Sequence, residues 1–394
     1  MISRERRVQY LYFFFAWGGI ISFLLILILQ NTGAGNWLVM ENNFNWQFSD
    51  FFRQIVYASD LRNIYFNTED APFPPLAYIF FHLIYKINPF SLPVELKSWR
   101  QAQNHQYNLL IFLMFMIFVS IFLVDIVKKI LGNGRWTSFF IYSVLLSAPF
   151  LSGAIERGNI AIVVCLLLLT SLFWKDTTIA WKREAALILI AVSAGLKIYP
   201  AIFGLIYLKE KRWSETVRLI IYGLMFFFVP FLFTGGLAGI RQYLNVLGVF
   251  GASTAARWTN VRNFWFALQN RLGVEGNIYF AIILENIYFL FCIFSLFRTS
   301  KKWKCTLFLS GILTLYIPNS YRYVAVYMLI PLVFWFKQQK GSWNDYIYAI
   351  LFSAVFTIPT HGYLLGGVAD FWIFLPVYLL MVFAVLEVLV MGEE

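Results

Sequence analysis

Apolar residues in this chain come in long runs, not at the alternating spacing of a half-buried strand or the three-and-four spacing of an amphipathic helix. The runs fall near residues 10–30, 107–127, 137–153, 159–174, 216–235, 277–297, 305–318, 323–336, 346–358 and 371–390. A hydrocarbon core of about 30 Å takes about 20 apolar helical residues to cross. The pattern therefore predicts an all-α, polytopic transmembrane helical bundle of about 10–12 spans. Two stretches are less regular. Residues 75–88 are short for a crossing, and 185–208 carries Lys197 and Pro200 at its middle, which predicts a broken helix or a hairpin. The run Tyr10–Gln30 is long enough to span and no small-residue cleavage pattern follows it, so it reads as a span and not as a signal peptide.

The polar positions assign the sides. Basic residues gather in six short connections: Arg4/Arg6/Arg7, Lys128/Lys129/Arg135, Lys175/Lys182/Arg183, Lys209/Lys211/Arg212/Arg218, Arg298/Lys301/Lys302/Lys304 and Lys337/Lys340. These hold nineteen of the 31 Lys and Arg. Short basic loops stay in the cytoplasm, so 75–88 and 185–208 must each enter and leave on one side or be split. The connections 31–72 and 237–276 then lie on the extracytoplasmic face. Segment 31–72 has five acids against two arginines, and Asp50–Tyr65 within it reads as a short amphipathic helix at the interface. Segment 237–276, with Arg241, Arg257, Trp258, Arg262, Trp265 and Arg271, suits lipid head groups.

Composition narrows the class. Of 394 residues 60% are apolar and 13% charged, against about 25% charged in soluble domains; mean hydropathy is +0.69. No polar stretch is long enough for a soluble domain, so 1–394 reads as one membrane-embedded domain in the cell membrane. The net charge of +11 sits in the loops, which points to membrane lipids and away from nucleic acid. Cys165, Cys292 and Cys305 have no paired spacing, and His82, His105 and His361 are far apart. No Asp-x-Asp motif is present, so neither a metal nor another cofactor is expected. Tandem repeats and matched pairs of interrupted helices, the mark of many transporters, are absent.

Ionisable groups inside membrane segments are costly and are candidates for function. They are Glu156, Arg157, Lys197, Glu285 and Arg322. Asp125, beside Lys128 and Lys129, and Glu387, near the C-terminus, read as snorkelling neighbours of helix ends, and Glu285 as a structural hydrogen-bonding group. Four patterns converge on the extracytoplasmic face: Phe48-Ser49-Asp50-Phe51-Phe52, Ala71-Pro72-Phe73-Pro74-Pro75-Leu76, Glu156-Arg157-Gly158-Asn159 and Gly195-Leu196-Lys197-Ile198-Tyr199-Pro200, the last followed by Lys211-Arg212-Trp213.

That ordered set, across roughly 10–335, resembles the polytopic glycosyltransferases of the GT-C class, specifically glycosyltransferase family 87. Phe73-Pro74-Pro75 stands where members often have Tyr-Pro-Pro, and Glu156-Arg157-Gly158-Asn159 where they often have Gly-Gln-x-Asn. The resemblance implies transfer of mannose or a related hexose from a polyprenyl-phosphate-linked sugar to a glycan or glycolipid acceptor on the extracytoplasmic side, with inversion. Such chemistry needs a base for the acceptor hydroxyl, which a carboxylate can supply, and cations where the leaving phosphate gains charge. The resemblance puts Asp50 in the catalytic role, with Asp60 as the next candidate. Lys197, Arg157, Asn159, Tyr199, Arg322 and the loop residue His361 are the substrate-binding candidates. Each has a plainer reading: Asp50 as a helix cap beside Ser49, Lys197 as a snorkelling lysine, Glu156 and Arg157 as an ion pair, Arg322 as an interface anchor. The rival functions are a transporter or flippase for a lipid-linked glycan, and a membrane polymerase using arginines of 237–276.

Overall fold

The computed structural model describes residues 3–29, 48–68, 71–87, 102, 106–147, 149–151, 157–252, 260–273, 277–317, 322–357 and 369–392. Among these no strand occurs. The α-helices are α1 (Arg4–Leu29), α2 (Ser49–Tyr57), α3 (Ile64–Asn67), α4 (Pro75–Ile87), α5 (Gln106–Leu131), α6 (Arg135–Leu145), α7 (Ala161–Trp174), α8 (Ala180–Leu196), α9 (Leu205–Lys209), α10 (Trp213–Phe228), α11 (Gly236–Ala252), α12 (Val261–Leu272), α13 (Ile278–Arg298), α14 (Lys302–Leu315), α15 (Leu329–Gln338), α16 (Trp343–Phe356) and α17 (Ala369–Leu386). Four stretches of the described residues are long and apolar enough to cross a membrane: Asn108–Leu131, Trp213–Phe233, Ile278–Arg298 and Phe374–Met391. The chain is an all-α membrane protein. Its helices gather into two compact units, residues 43–126 with 154–254 and residues 1–42 with 127–153 and 255–394.

In the unit 43–126/154–254, α8 packs against α7, α10 and α4, and α2 lies on α4. The stretch 185–208 is a helix broken at Lys197, whose backbone is extended (φ −146°, ψ 131°). Pro200 explains the break: it has no N–H for the Leu196 carbonyl, so the helical ladder stops there. A 3-10 turn, Tyr199–Gly204, and α9 then lead the chain back. The two ends of this segment meet, because the Lys175 ammonium just before α8 donates to Glu210 just after α9 at 2.6 and 2.7 Å. Lys197 is therefore carried at the turn of a hairpin. Gly195, two residues earlier, is where α4 and α10 close on α8: a Cβ there would lie 2.7 Å from Leu76 Cδ2 and 2.9 Å from the Phe226 carbonyl.

The amphipathic stretch from Asp50 is not one helix. It is α2, a 3-10 turn Ala58–Asn63, and α3, with Asp60 in a non-helical conformation (φ −108°, ψ 78°). The Asp60 carboxylate accepts hydrogen bonds from the side chains of Asn63 and Asn67, both at 3.1 Å, and this local bonding competes with the helix. Buried Phe51, Phe52, Phe81 and Phe112 lock α2 against its neighbours.

In the unit 1–42/127–153/255–394, α14 is the central helix, buried from Trp303 to Leu315. Packed on it are α13, α15 and α17, while α1 lies on α16 and α6. Glu387 is not a snorkelling terminal acid. It is fully buried, 2.8 Å from the buried Lys304 ammonium, and accepts from the Tyr348 hydroxyl at 2.6 Å. The sequence separation of 83 hides the partner that lets this acid sit inside. Removing one member of such a pair leaves a buried charge uncompensated. Glu285 is likewise buried and paired, with Arg262. The three cysteines are buried and free.

Candidate functional site

The site forms where α2 begins, where the chain enters α7 and where α8 ends. Asp50 sits in the first turn of α2, following Phe48 at φ 55°. A left-handed phenylalanine is a costly conformation, and here the Phe48 ring packs, tilted, with its centre 4.4 Å from that of Phe112. The backbone N–H of Asp50 donates to the Arg157 carbonyl at 3.0 Å, tying α2 to the segment before α7. Gly158 has φ +63°, and a Cβ there would come within 2.8 Å of both Phe51 and Phe112. Only glycine makes this crossing without strain.

The turn at Gly158 delivers two side chains to Asp50. The Asn159 amide donates to Asp50 Oδ2 at 2.7 Å, while its Oδ1 accepts from the Ala161 N–H at 3.0 Å. Asn159 is 2% exposed, so its amide is fixed at both ends. Arg157 Nε lies 3.9 Å from Asp50 Oδ1, and the same guanidinium donates to Ser49 Oγ at 3.3 Å. Asp50 is 18% and Arg157 15% exposed at the side chain, enough for a ligand to reach both. Asp50 is therefore not a helix cap: its carboxylate is held across the fold, 109 residues from its partner.

Lys197 completes the cluster. It is buried and interacts electrostatically with the Asp50 carboxylate, and its Nζ stands 5.1 Å from the centre of the Phe73 ring. Phe73 lies in the proline-rich turn before α4, which is pinned by the Tyr65 hydroxyl donating to the Phe73 carbonyl at 2.9 Å. Burial, with the neighbouring Tyr78 and Tyr243, pushes the Tyr65 phenol well above its ordinary range, so it remains a donor. His82 Nδ1 bonds the Ala58 carbonyl at 2.6 Å, fastening α4 to the turn after α2. Ser49, Phe73 and Tyr65 were not read from the sequence as site residues. Only the Phe73-Pro74-Pro75 motif signalled this wall.

Of the sequence candidates, the structure thus brings together Asp50, Arg157, Asn159 and Lys197. Tyr199 follows Lys197 in the 3-10 turn and is 39% exposed. Asp60 is held by Asn63 and Asn67, whose hydrogen bonds keep its carboxyl below the usual range. Arg322 begins the 3-10 helix Arg322–Met328 of the other unit. Glu156 and His361 lie outside the described residues. A carboxylate held by Asn159 through Oδ2 can take a proton, and the lysine and arginine that flank it can hold an anion beside it.

Comparison with known proteins adds a family. The model of glycosyltransferase family 87 matches residues 98–318, more than half of the chain, and takes in Arg157, Asn159 and Lys197. No curated protein and no solved structure matches the chain.

Proposed function

The chain belongs to glycosyltransferase family 87 and is a membrane glycosyltransferase; from that premise we propose that it moves a mannose-like hexose from a polyprenyl-phosphate carrier to a glycan or glycolipid acceptor on the extracytoplasmic face. Membership in an enzyme family favours transfer over transport. The observation that carries the finer reading is the cluster itself: a carboxylate oriented by Asn159, with Arg157 3.9 Å from it and Lys197 buried in its field. The geometry supports Asp50 as the base. Asn159 occupies Oδ2, and Oδ1 accepts the proton of the acceptor hydroxyl. The acceptor oxygen then bonds to the anomeric carbon as the bond from that carbon to the phosphate oxygen breaks. The electron pair leaves on the phosphate, whose added charge Lys197 and Arg157 balance in a site of low dielectric. Lysine serves as a point charge and arginine as a planar fork, so the two are not equivalent here. Attack opposite the leaving group inverts the sugar carbon. The chemistry needs no metal or other cofactor.

The test uses the purified full-length protein in proteoliposomes, with radiolabelled hexose presented either on a short polyprenyl phosphate or on a nucleotide diphosphate. Label should pass to a glycolipid acceptor from the lipid phosphate alone and be indifferent to EDTA. Transfer from the nucleotide sugar, with none from the lipid phosphate, would overturn the donor assignment.

A further inference from the structure

Outside the cluster around Asp50, helix α12 of the connection 237–276 and the intramembrane acid Glu285 stand unused, and the structure joins them. Helix α12 packs on α13. It turns Arg262, Trp265 and Gln269 to one side, at the three-and-four spacing of a helical face. That side is polar and faces inward. Arg262 Nε and Nη2 donate to Glu285 Oε2 at 3.1 and 2.6 Å, the Trp265 ring packs on Phe280 of α13 at 4.8 Å, and Gln269 is 5% exposed. Both donors of Arg262 converge on one oxygen of Glu285. The other, Oε1, is buried and has no hydrogen-bond partner among the described residues, and the same is true of the indole Nε1 of Trp265. Glu285 is 4% exposed.

A carboxylate inside a membrane helix is costly, and leaving one of its oxygens unsatisfied adds to the cost. A well-packed apolar pair would be the more stable solution if stability alone were served. The orphan atoms are complementary: Oε1 accepts and Nε1–H donates. A sugar, whose hydroxyls both donate and accept, carries the partners that the two atoms lack. The rest of the neighbourhood suits the same chemistry. The Arg262 side chain is 24% exposed, so the ion pair is not fully sealed off. Phe264 of α12 and Tyr378 of α17 pack with their ring centres 4.3 Å apart, and Tyr378 interacts electrostatically with Glu285.

We propose that Arg262, Trp265 and Glu285 form a binding site for a polyhydroxylated head group. This rests on the glycosyl-transfer reading above, since that reading calls for a hydroxylated acceptor. Glu285 Oε1 takes a hydrogen bond from a ring hydroxyl, Trp265 Nε1 gives one, and Arg262 keeps the carboxylate charged and oriented. None of the three takes part in the chemical step.

The experiment measures equilibrium binding of radiolabelled octyl mannoside, below micelle concentration, to the full-length protein in phosphatidylcholine nanodiscs. A parallel arm measures binding of a short polyprenyl phosphate. Glu285→Gln should weaken octyl mannoside at least tenfold, and Trp265→Phe, which keeps a ring and loses the N–H, several-fold. Polyprenyl phosphate binding should stay within twofold for both. If Glu285→Gln does not fold, Trp265→Phe carries the test, because it leaves the ion pair in place. Native-like octyl mannoside binding by the folded variants would overturn the site. Nanodiscs made of phosphatidylglycerol, a polyol lipid, should not compete; abolition of binding there would reassign the site to bulk lipid. Failure of the native protein to bind polyprenyl phosphate would count against the donor reading alone, leaving the octyl mannoside arm to judge this site.

Discussion

Replacing Asn159 by alanine removes two contacts that the structure makes explicit. One is the hydrogen bond to the Asp50 carboxylate at 2.7 Å, and the other is the bond from the Ala161 N–H at 3.0 Å. Hydrogen bonds to charged groups contribute about 1.5–3 kcal/mol, and a side chain satisfying a helix-entry N–H about 1 kcal/mol. Both residues are mostly shielded from water, so the full range applies. The helix-entry share appears as stability, as a lower unfolding temperature. The carboxylate share appears as rate, because an untethered Asp50 samples orientations from which Oδ1 cannot reach the acceptor hydroxyl. At about 1.4 kcal/mol per factor of ten, Asn159→Ala should lower kcat by roughly 10–100-fold with the donor KM nearly unchanged. The assay is transfer of radiolabelled hexose from short polyprenyl phosphate in proteoliposomes, alongside a thermal melt in detergent. A kcat within twofold of native, in a variant that melts at the native temperature, would refute the idea that Asn159 positions the base.

Three further outcomes follow from the same structure. Lys197→Ala should insert normally and abolish transfer, since the departing phosphate loses a buried cation, while Lys197→Arg retains part of the rate; native turnover by the alanine variant would remove Lys197 from the donor site. In a background with Cys165, Cys292 and Cys305 replaced, cysteines at positions 35 and 255 should react with an impermeant thiol reagent on intact cells and one at 301 should not; the reverse labelling would invert the sidedness. Glu387→Gln should destabilise the protein by about 3–5 kcal/mol in denaturant melts, because it removes the negative charge that faces the buried Lys304 ammonium, and Lys304→Met in the same chain should restore much of the loss; no loss in the single variant would mean the pair is dispensable.

The fold class was legible because runs of apolar residues leave few choices in a membrane. The break at Lys197 was legible for a local reason: Pro200 stops the ladder, whatever packs around it. The split of Asp50–Tyr65 was not, because it depends on Asp60 choosing Asn63 and Asn67 over its own helix. For the site, the sequence offered residues but not pairings. Asp50 and Asn159 stand 109 positions apart, and no periodicity links them; only the order of motifs put both on one face. The buried Lys304–Glu387 pair escaped for the same reason, since each residue, seen alone at a helix end, looks like a solvated charge. The role of Gly158 escaped too, because its need for a left-handed turn shows only against Phe51 and Phe112.

The central claim, that Asp50 is the base, is tested most directly by the transfer rate of Asp50→Asn, measured beside Asp60→Asn in the same proteoliposomes. The asparagine keeps the size and loses the charge, so it should still bind polyprenyl-phosphate sugar while transfer falls by roughly 10²–10⁴-fold, the usual loss for a general base. Asp60, engaged with Asn63 and Asn67, should tolerate the same change with a mild effect. An Asp50→Asn enzyme that transfers hexose within a few-fold of the native rate, while Asp60→Asn is inactive, would contradict the account.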